Sequence, residues 1–169
     1  MREAVFMGLD ARVHCDCFEN GLISDAPPFA DKVRLSEEGR PEIYIDDLSS
    51  QMIFEEWAHS EPCPHGNFVV VRQRIGNIAM VGFLWERLVD LEETSQKTFP
   101  VLQEKVLYSG THCGDMLTVA DVELLRAEVD DLRTILNFDR SMDAALIDFC
   151  DKMSSLIVAA TELNKPIVF

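Results

Sequence analysis

Two runs of apolar residues at helical spacing near the end of the chain do most to limit what it can fold into. Val122, Leu125, Val129, Leu132 and Leu136 recur at steps of three and four, opposite Asp121, Glu123, Glu128 and Asp131. Leu146, Phe149, Met153, Leu156, Ala160 and Leu163 repeat the pattern over the next stretch, with Cys150 beside them. A helix with one apolar stripe has to lay it on another apolar surface, so the two demand a shared core. Thr118 and Asp121 resemble a capping box for the first helix, Ser141 is the expected cap of the second, and Pro166 stops it. A matching surface is visible at the other end of the chain. There Leu9, Ala11, Val13, Cys15 and Cys17 alternate with Asp10, Arg12, His14 and Asp16, the period-two pattern of a strand with one buried face.

Between these ends the pattern is mixed. Residues 19–41 are rich in Pro, Gly, Asp and Ser and read as an irregular connection, followed by a short strand over 42–45. Asp46 or Asp47 then caps a helix running to about His59 and stopped before Pro62. The β-branched run from Phe68 to Arg72 reads as a buried strand. Gly76-Asn77 turns the chain into a helix from about Ile78 to Leu91, apolar on every side over its first half and therefore expected at the centre. Lys105 to Tyr108 reads as a strand closed by a turn at Ser109-Gly110-Thr111, and residues 167–169 as a closing strand. Strands and helices mix without a regular strand–helix repeat, which predicts an α+β fold: one domain over 1–169, with a small, mostly antiparallel sheet packed against about four helices.

Charge decides which partners such a fold can meet. The 169 residues carry 30 Asp and Glu against 15 Lys and Arg, a net of -15, and the basic cluster Arg72-Gln73-Arg74 is too small to hold a phosphate backbone, so nucleic acid is excluded as a partner. From Glu42 to Val71 there are six carboxylates and no Lys or Arg. Such a surface steers cationic partners, raising association rates by roughly 10 to 1000-fold at low salt. Glu42, Asp46, Asp47, Glu55, Glu56 and Glu61 are therefore candidate contacts to a basic protein, with Phe54 and Trp57 as apolar anchors on the same helix. The competing reading makes Phe54 and Trp57, three apart, that helix's inner face. No apolar run approaches the ~18 residues that cross a bilayer, and a carboxylate precedes any long apolar stretch at the N-terminus, so a cytoplasmic protein without membrane contact is expected. Without a nucleotide loop or cofactor fingerprint, no cofactor is expected.

Five cysteines, at 15, 17, 63, 113 and 150, are too sparse for a secreted disulfide framework and are expected as thiols. Cys15 and Cys17, with Cys63 and His65, form two short-spaced donor pairs of the types that zinc prefers. Core packing as small apolar side chains already explains Cys15 and Cys17, an i, i+2 pair on one strand face, so no bound metal is expected and zinc on these four donors is the alternative. The polar loop from Gly110 to Asp115 places His112 and Asp115 as a candidate loop site, where Cys113 with His59 or His112 forms the minimal kit for covalent catalysis. The alternative is plain loop architecture at the entrance to a helix.

Several segments together carry a resemblance: Met7 to Ala11 and His14 to Gly21, Cys63-Pro64-His65-Gly66, Arg74-Ile75-Gly76-Asn77, and Tyr108 to Asp115. In these the chain resembles small acidic bacterial proteins of unassigned activity that look like immunity proteins of polymorphic or contact-delivered toxin systems. The resemblance implies a non-catalytic inhibitor that covers the active site of a cognate toxin, one with a basic cleft. The residues themselves leave two other classes open: a small zinc-binding or regulatory protein using Cys15, Cys17, Cys63 and His65, and a thiol-dependent enzyme at Cys113.

Overall fold

The computed structural model describes residues 8–110, 112, 114–138 and 143–169. Its central strand, β1 (Gly8–His14), buries Leu9, Ala11 and Val13 on one face and sets Asp10 and Arg12 on the other, as a period of two requires. β1 pairs antiparallel along its length with β4 (Val69–Asn77), Gly8 opposite Asn77 and Arg12 opposite Arg72, with bulges after Leu9 and Val13. On its other side β1 meets β6 (Ile167–Val168), which pairs with β5 (Met116–Leu117), giving an antiparallel sheet in the order β4-β1-β6-β5. A separate hairpin joins β2 (Val33–Leu35) to β3 (Pro41–Ile43), and α1 (Leu48–His59) follows it.

Three longer helices close the buried face of the sheet: α2 (Ile78–Ser95), α3 (Val119–Phe138) and α4 (Ala144–Leu163). Their stripes meet β1 in one cluster that includes Val81, Leu84 and Leu88 from α2, Leu125 and Leu132 from α3, and Leu146, Phe149 and Leu156 from α4. The capping box is made in both directions: the Thr118 amide donates to Asp121 at 3.1 Å and the Asp121 amide to Thr118 Oγ1 at 3.3 Å. Asp47 caps α1 and Asn77 caps α2 by accepting amides three residues on. Asp143 caps α4, taking the amides of Ala145 and Leu146; the expected cap, Ser141, lies outside the described residues. The architecture is α+β, as the sequence predicts. Among the described residues, no helix is long and apolar enough to cross a membrane.

Several local expectations change, each for a reason beyond local sequence. β1 ends at His14, because the bulge after Val13 turns the chain out of the ladder and leaves Cys17 in a turn. The connection read as irregular contains β2, and its partner β3 covers 41–43 rather than 42–45. β4 runs on to Asn77 and is an edge strand, so Val69, Val70 and Val71 are half-buried instead of interior. α2 is not a central helix: Ile78, Met80, Phe83 and Trp85 are exposed, and only the stripe from Val81 to Leu91 is buried. The run read as a strand at Lys105–Tyr108 is not one: Lys105 and Val106 end a π-helical turn, Leu102–Val106, and Leu107 and Tyr108 follow it in a bend. The amides entering that turn, from Val101 and Leu102, donate to Glu128 at 2.9 Å each, which buries a carboxylate expected on the solvent side of α3.

Candidate metal centre

Where β1 leaves the sheet, the Cys15 amide donates to the Phe68 carbonyl at 2.8 Å, and the chain turns so that the Leu22 amide reaches the Cys17 carbonyl, also at 2.8 Å. Both cysteines are thereby held at the base of a compact turn. The facing segment descends from α1 through Cys63 and His65 into β4. Its backbone is unusual, since Glu61, Asn67 and Phe68 all adopt left-handed φ values, of 56°, 53° and 59°. For residues with a Cβ this costs roughly 1–2 kcal/mol each, and a bulky side chain such as Phe68 rarely accepts it. Strain concentrated in a short stretch marks a segment that its surroundings over-determine.

The surroundings include four donor atoms. The Sγ atoms of Cys15, Cys17 and Cys63 and a ring nitrogen of His65 all lie within 4.8 Å of one another. A tetrahedral zinc with Zn–S near ~2.3 Å and Zn–N near ~2.0 Å sets its sulfurs about 3.8 Å apart and a sulfur–nitrogen edge at about 3.5 Å. Cys15 Sγ and Cys63 Sγ are 3.8 Å apart, and Cys17 Sγ lies 3.3 Å from His65 Nδ1. The sulfur separation is nearly twice a disulfide bond, and all three thiols are free. Three sulfurs and one imidazole are a donor set that favours zinc over the harder cations, and four protein ligands leave no position for water.

The electrostatics set a condition on that reading. Burial pushes the Cys15 thiol up to about 12 and raises that of Cys17, so by themselves these groups keep their protons. A divalent cation among them reverses that preference, because the thiolate is the ligand and its charge is then compensated. The shell is apolar. Ala58 and Phe68 pack with the three cysteines, and Phe18, Ile23 and Trp57 close the outside. Trp57 stacks between Phe54 and Phe68 at 5.3 and 5.7 Å and donates its Nε1 hydrogen to the Asp25 carbonyl at 3.2 Å. His14 is not one of the four. Its Nδ1 donates to the Phe68 carbonyl at 3.2 Å, and burial draws its pKa down to about 4, leaving Nε2 as an acceptor.

The other candidate residues separate into groups. Asp46, Glu55, Glu56 and Glu61 are exposed and Glu42 is half-buried, while Asp47 is engaged as the α1 cap, accepting from the Ser50 amide and hydroxyl. Glu55 is partly neutralised from outside the acidic segment, by Arg40 at 3.3 Å. Phe54 is interior at 1% exposure and Trp57 is half-buried, so the inner-face reading of that pair holds and Phe54 is not presented to a partner. The exposed apolar residues of α1 are Leu48, Met52 and Ile53, which the sequence reading passed over because they do not form an apolar stripe. At the loop site, His112 is buried between the rings of Tyr108 and Phe169, with Nε2 at 2.9 Å from the Val106 carbonyl, and Tyr108 hydrogen-bonds Asp115. Cys113 lies outside the described residues, and His59 sits on the surface of α1, bonded to the Glu55 carbonyl.

No family model, curated protein or solved structure matches this chain.

Proposed function

We propose that the chain is a zinc-stapled binding protein, in which Cys15, Cys17, Cys63 and His65 hold one structural zinc ion and α1 is thereby fixed as the surface that meets a cationic partner protein. The observation that carries this reading is the convergence, within 4.8 Å, of four zinc-type donors from segments 48 residues apart in sequence. The ion's role is architectural, because its ligand set is closed. It would reinforce the packing beneath α1, where Cys15, Cys17, Ala58, Cys63 and Phe68 form a small buried cluster and Phe54 adds a further buried ring.

The binding half of the proposal rests on the outward side of α1. Leu48 and Met52, one turn apart, are 70% and 60% exposed and stand among Asp46, Glu55 and Glu56. Apolar anchors ringed by one sign of charge suit a basic protein surface, with the carboxylates raising the association rate and the desolvated anchors supplying affinity. The resemblance to immunity proteins gives this partner a specific form, a cognate toxin whose basic cleft is covered.

Co-expression with the protein encoded beside it, followed by purification without chelator, tests both halves. The expected result is a complex of fixed stoichiometry carrying one zinc per copy of this chain, whose association slows with salt and in the Glu55→Lys, Glu56→Lys double variant. Protection against a toxin at substoichiometric amounts, with no isolable complex, would overturn the binding reading in favour of an enzyme.

A further inference from the structure

The strand β4 is longer than β1 and stands at the edge of the sheet. On its side away from β1 it makes no backbone hydrogen bond to another element among the described residues. The register with β1 skips Val70 and Ile75, so two bulges bracket a regular stretch over 71–74. Within that stretch every second residue aims its amide and carbonyl away from β1, as an antiparallel ladder requires. Such an edge is a template for another extended chain.

The side chains along the edge say what kind of chain. The basic cluster Arg72-Gln73-Arg74, too small for a phosphate backbone, lies in this stretch and divides between the two faces of the strand. Gln73 turns inward and donates to Ser155 Oγ of α4 at 3.4 Å, while Arg72 and Arg74 stand exposed on the outer face. Opposite them in the register are Arg12, which Glu38 holds at 3.3 Å, and Asp10. Neither Arg72 nor Arg74 has an ion-pair partner among the described residues. A strand laid along β4 brings alternate side chains of its own beside these two arginines, and carboxylates at that spacing satisfy both.

The inner side of the same edge opens on a groove of about 380 Å³, between the end of β4 and the helices α2 and α4. Met80, Leu84 and Phe149 line it, the last two almost fully buried, and Asp148 and Lys152 at its rim neutralise each other at 2.6 Å. Side chains of an added strand that point inward enter this groove, and apolar ones match its lining. We propose that the edge of β4 accepts an extended segment of a partner protein in which carboxylate side chains alternate with apolar ones. The carboxylates lie on Arg72 and Arg74, and an apolar side chain fills the groove. A second copy of this chain is a poorer occupant, because pairing two β4 strands about Gln73 sets Arg72 of each copy against Arg74 of the other. The proposal goes beyond the zinc-stapled reading: it uses none of the four metal ligands, and a face other than the outward side of α1.

Fluorescence anisotropy at an ionic strength of about 0.15 M tests it, with the full chain purified without chelator as receptor. The probe is a labelled, end-blocked peptide that alternates Glu with Val and Leu. Three matched peptides accompany it: one with Lys for Glu, one with the same residues but all carboxylates at one end, and one with the amides N-methylated. Saturable binding of the alternating probe is expected, with each companion weaker by about tenfold or more, since each loses ion pairs or backbone bonds. Arg72→Glu and Arg74→Glu should each weaken the probe by a similar factor, while Arg34→Glu, on the separate hairpin, leaves it unchanged. Both β4 arginines are exposed, and either variant serves if the other fails to fold. Hydrogen exchange gives an independent readout: the probe should slow exchange over 71–74 and leave α1 as it was. Absence of saturable binding, a companion peptide bound as tightly as the probe, an equal loss in Arg34→Glu, or protection on α1 instead of β4 overturns the proposal. Dimerisation of the protein alone that protects 71–74 assigns the edge to a second copy and overturns it as well.

Discussion

A carboxylate that turns inward loses its hydration, and Glu128 recovers part of it from the Val101 and Leu102 amides at 2.9 Å. Burial raises its pKa above the usual range, and the two amide bonds oppose that without cancelling it. The folded protein therefore binds this proton more readily than the unfolded chain does. The stability Glu128 contributes is fully present below its unfolded value and is lost as pH rises through the folded one. We expect the stability advantage of wild type over Glu128→Gln to shrink as pH climbs from about 4, the ordinary range for glutamate, in urea denaturation at a series of pH values. An advantage that grows over that range contradicts the assignment. At this scale the sequence misleads for a physical reason. Glu128 lies three residues after Leu125 and four before Leu132, at the margin of the apolar stripe. Which side of the margin is buried depends on the turn packed over it, and no local pattern encodes that.

At the scale of elements, α4 begins where Asp143 accepts the amides of Ala145 and Leu146 and holds Arg87 of α2 by its Nε at 2.9 Å. One carboxylate thus caps one helix and ties it to another. Asp143→Ala should cost about 1–2 kcal/mol, and Asp143→Asn, which keeps an oxygen for the amides but loses the charge, should cost less. Chemical denaturation midpoints measure both, and an alanine variant as stable as wild type would remove the cap from the account. The helices were legible because 3.6-residue periodicity is a local signal that survives in the fold, as in the α3 and α4 stripes. β2 and the π-helical turn at Leu102–Val106 were not legible. The three residues of β2 pair with β3 across a turn, and the turn that takes in the β-branched Val106 is tied to α3 where the Val101 and Leu102 amides meet Glu128, so pairing and packing overrode propensity.

For the molecule as a whole, the interior is divided. The large cluster between the sheet and α2, α3 and α4 is continuous, whereas Cys15, Cys17, Ala58, Cys63 and Phe68 form a separate small one under α1. If zinc holds the small cluster, its removal should melt that part first. A strong chelator should erase hydrogen-exchange protection over residues 15–23 and 57–68 and leave α4 protected. Uniform loss of protection, or none, would show that the two clusters do not differ in what holds them. The four donors could be named from the sequence, but not their meeting. Cys15 and Cys17 reach Cys63 and His65 only because β1 and β4 pair with His14 opposite Val69, which brings the turn after β1 against the strained segment before β4.

Zinc K-edge X-ray absorption on the purified protein tests that meeting most directly. One zinc per chain, in a first shell of three sulfurs at about 2.3 Å and one nitrogen at about 2.0 Å, is the result the proposed zinc staple predicts, with the sulfur count falling in Cys63→Ser. A substoichiometric metal content, or a shell made only of oxygen and nitrogen, would contradict it.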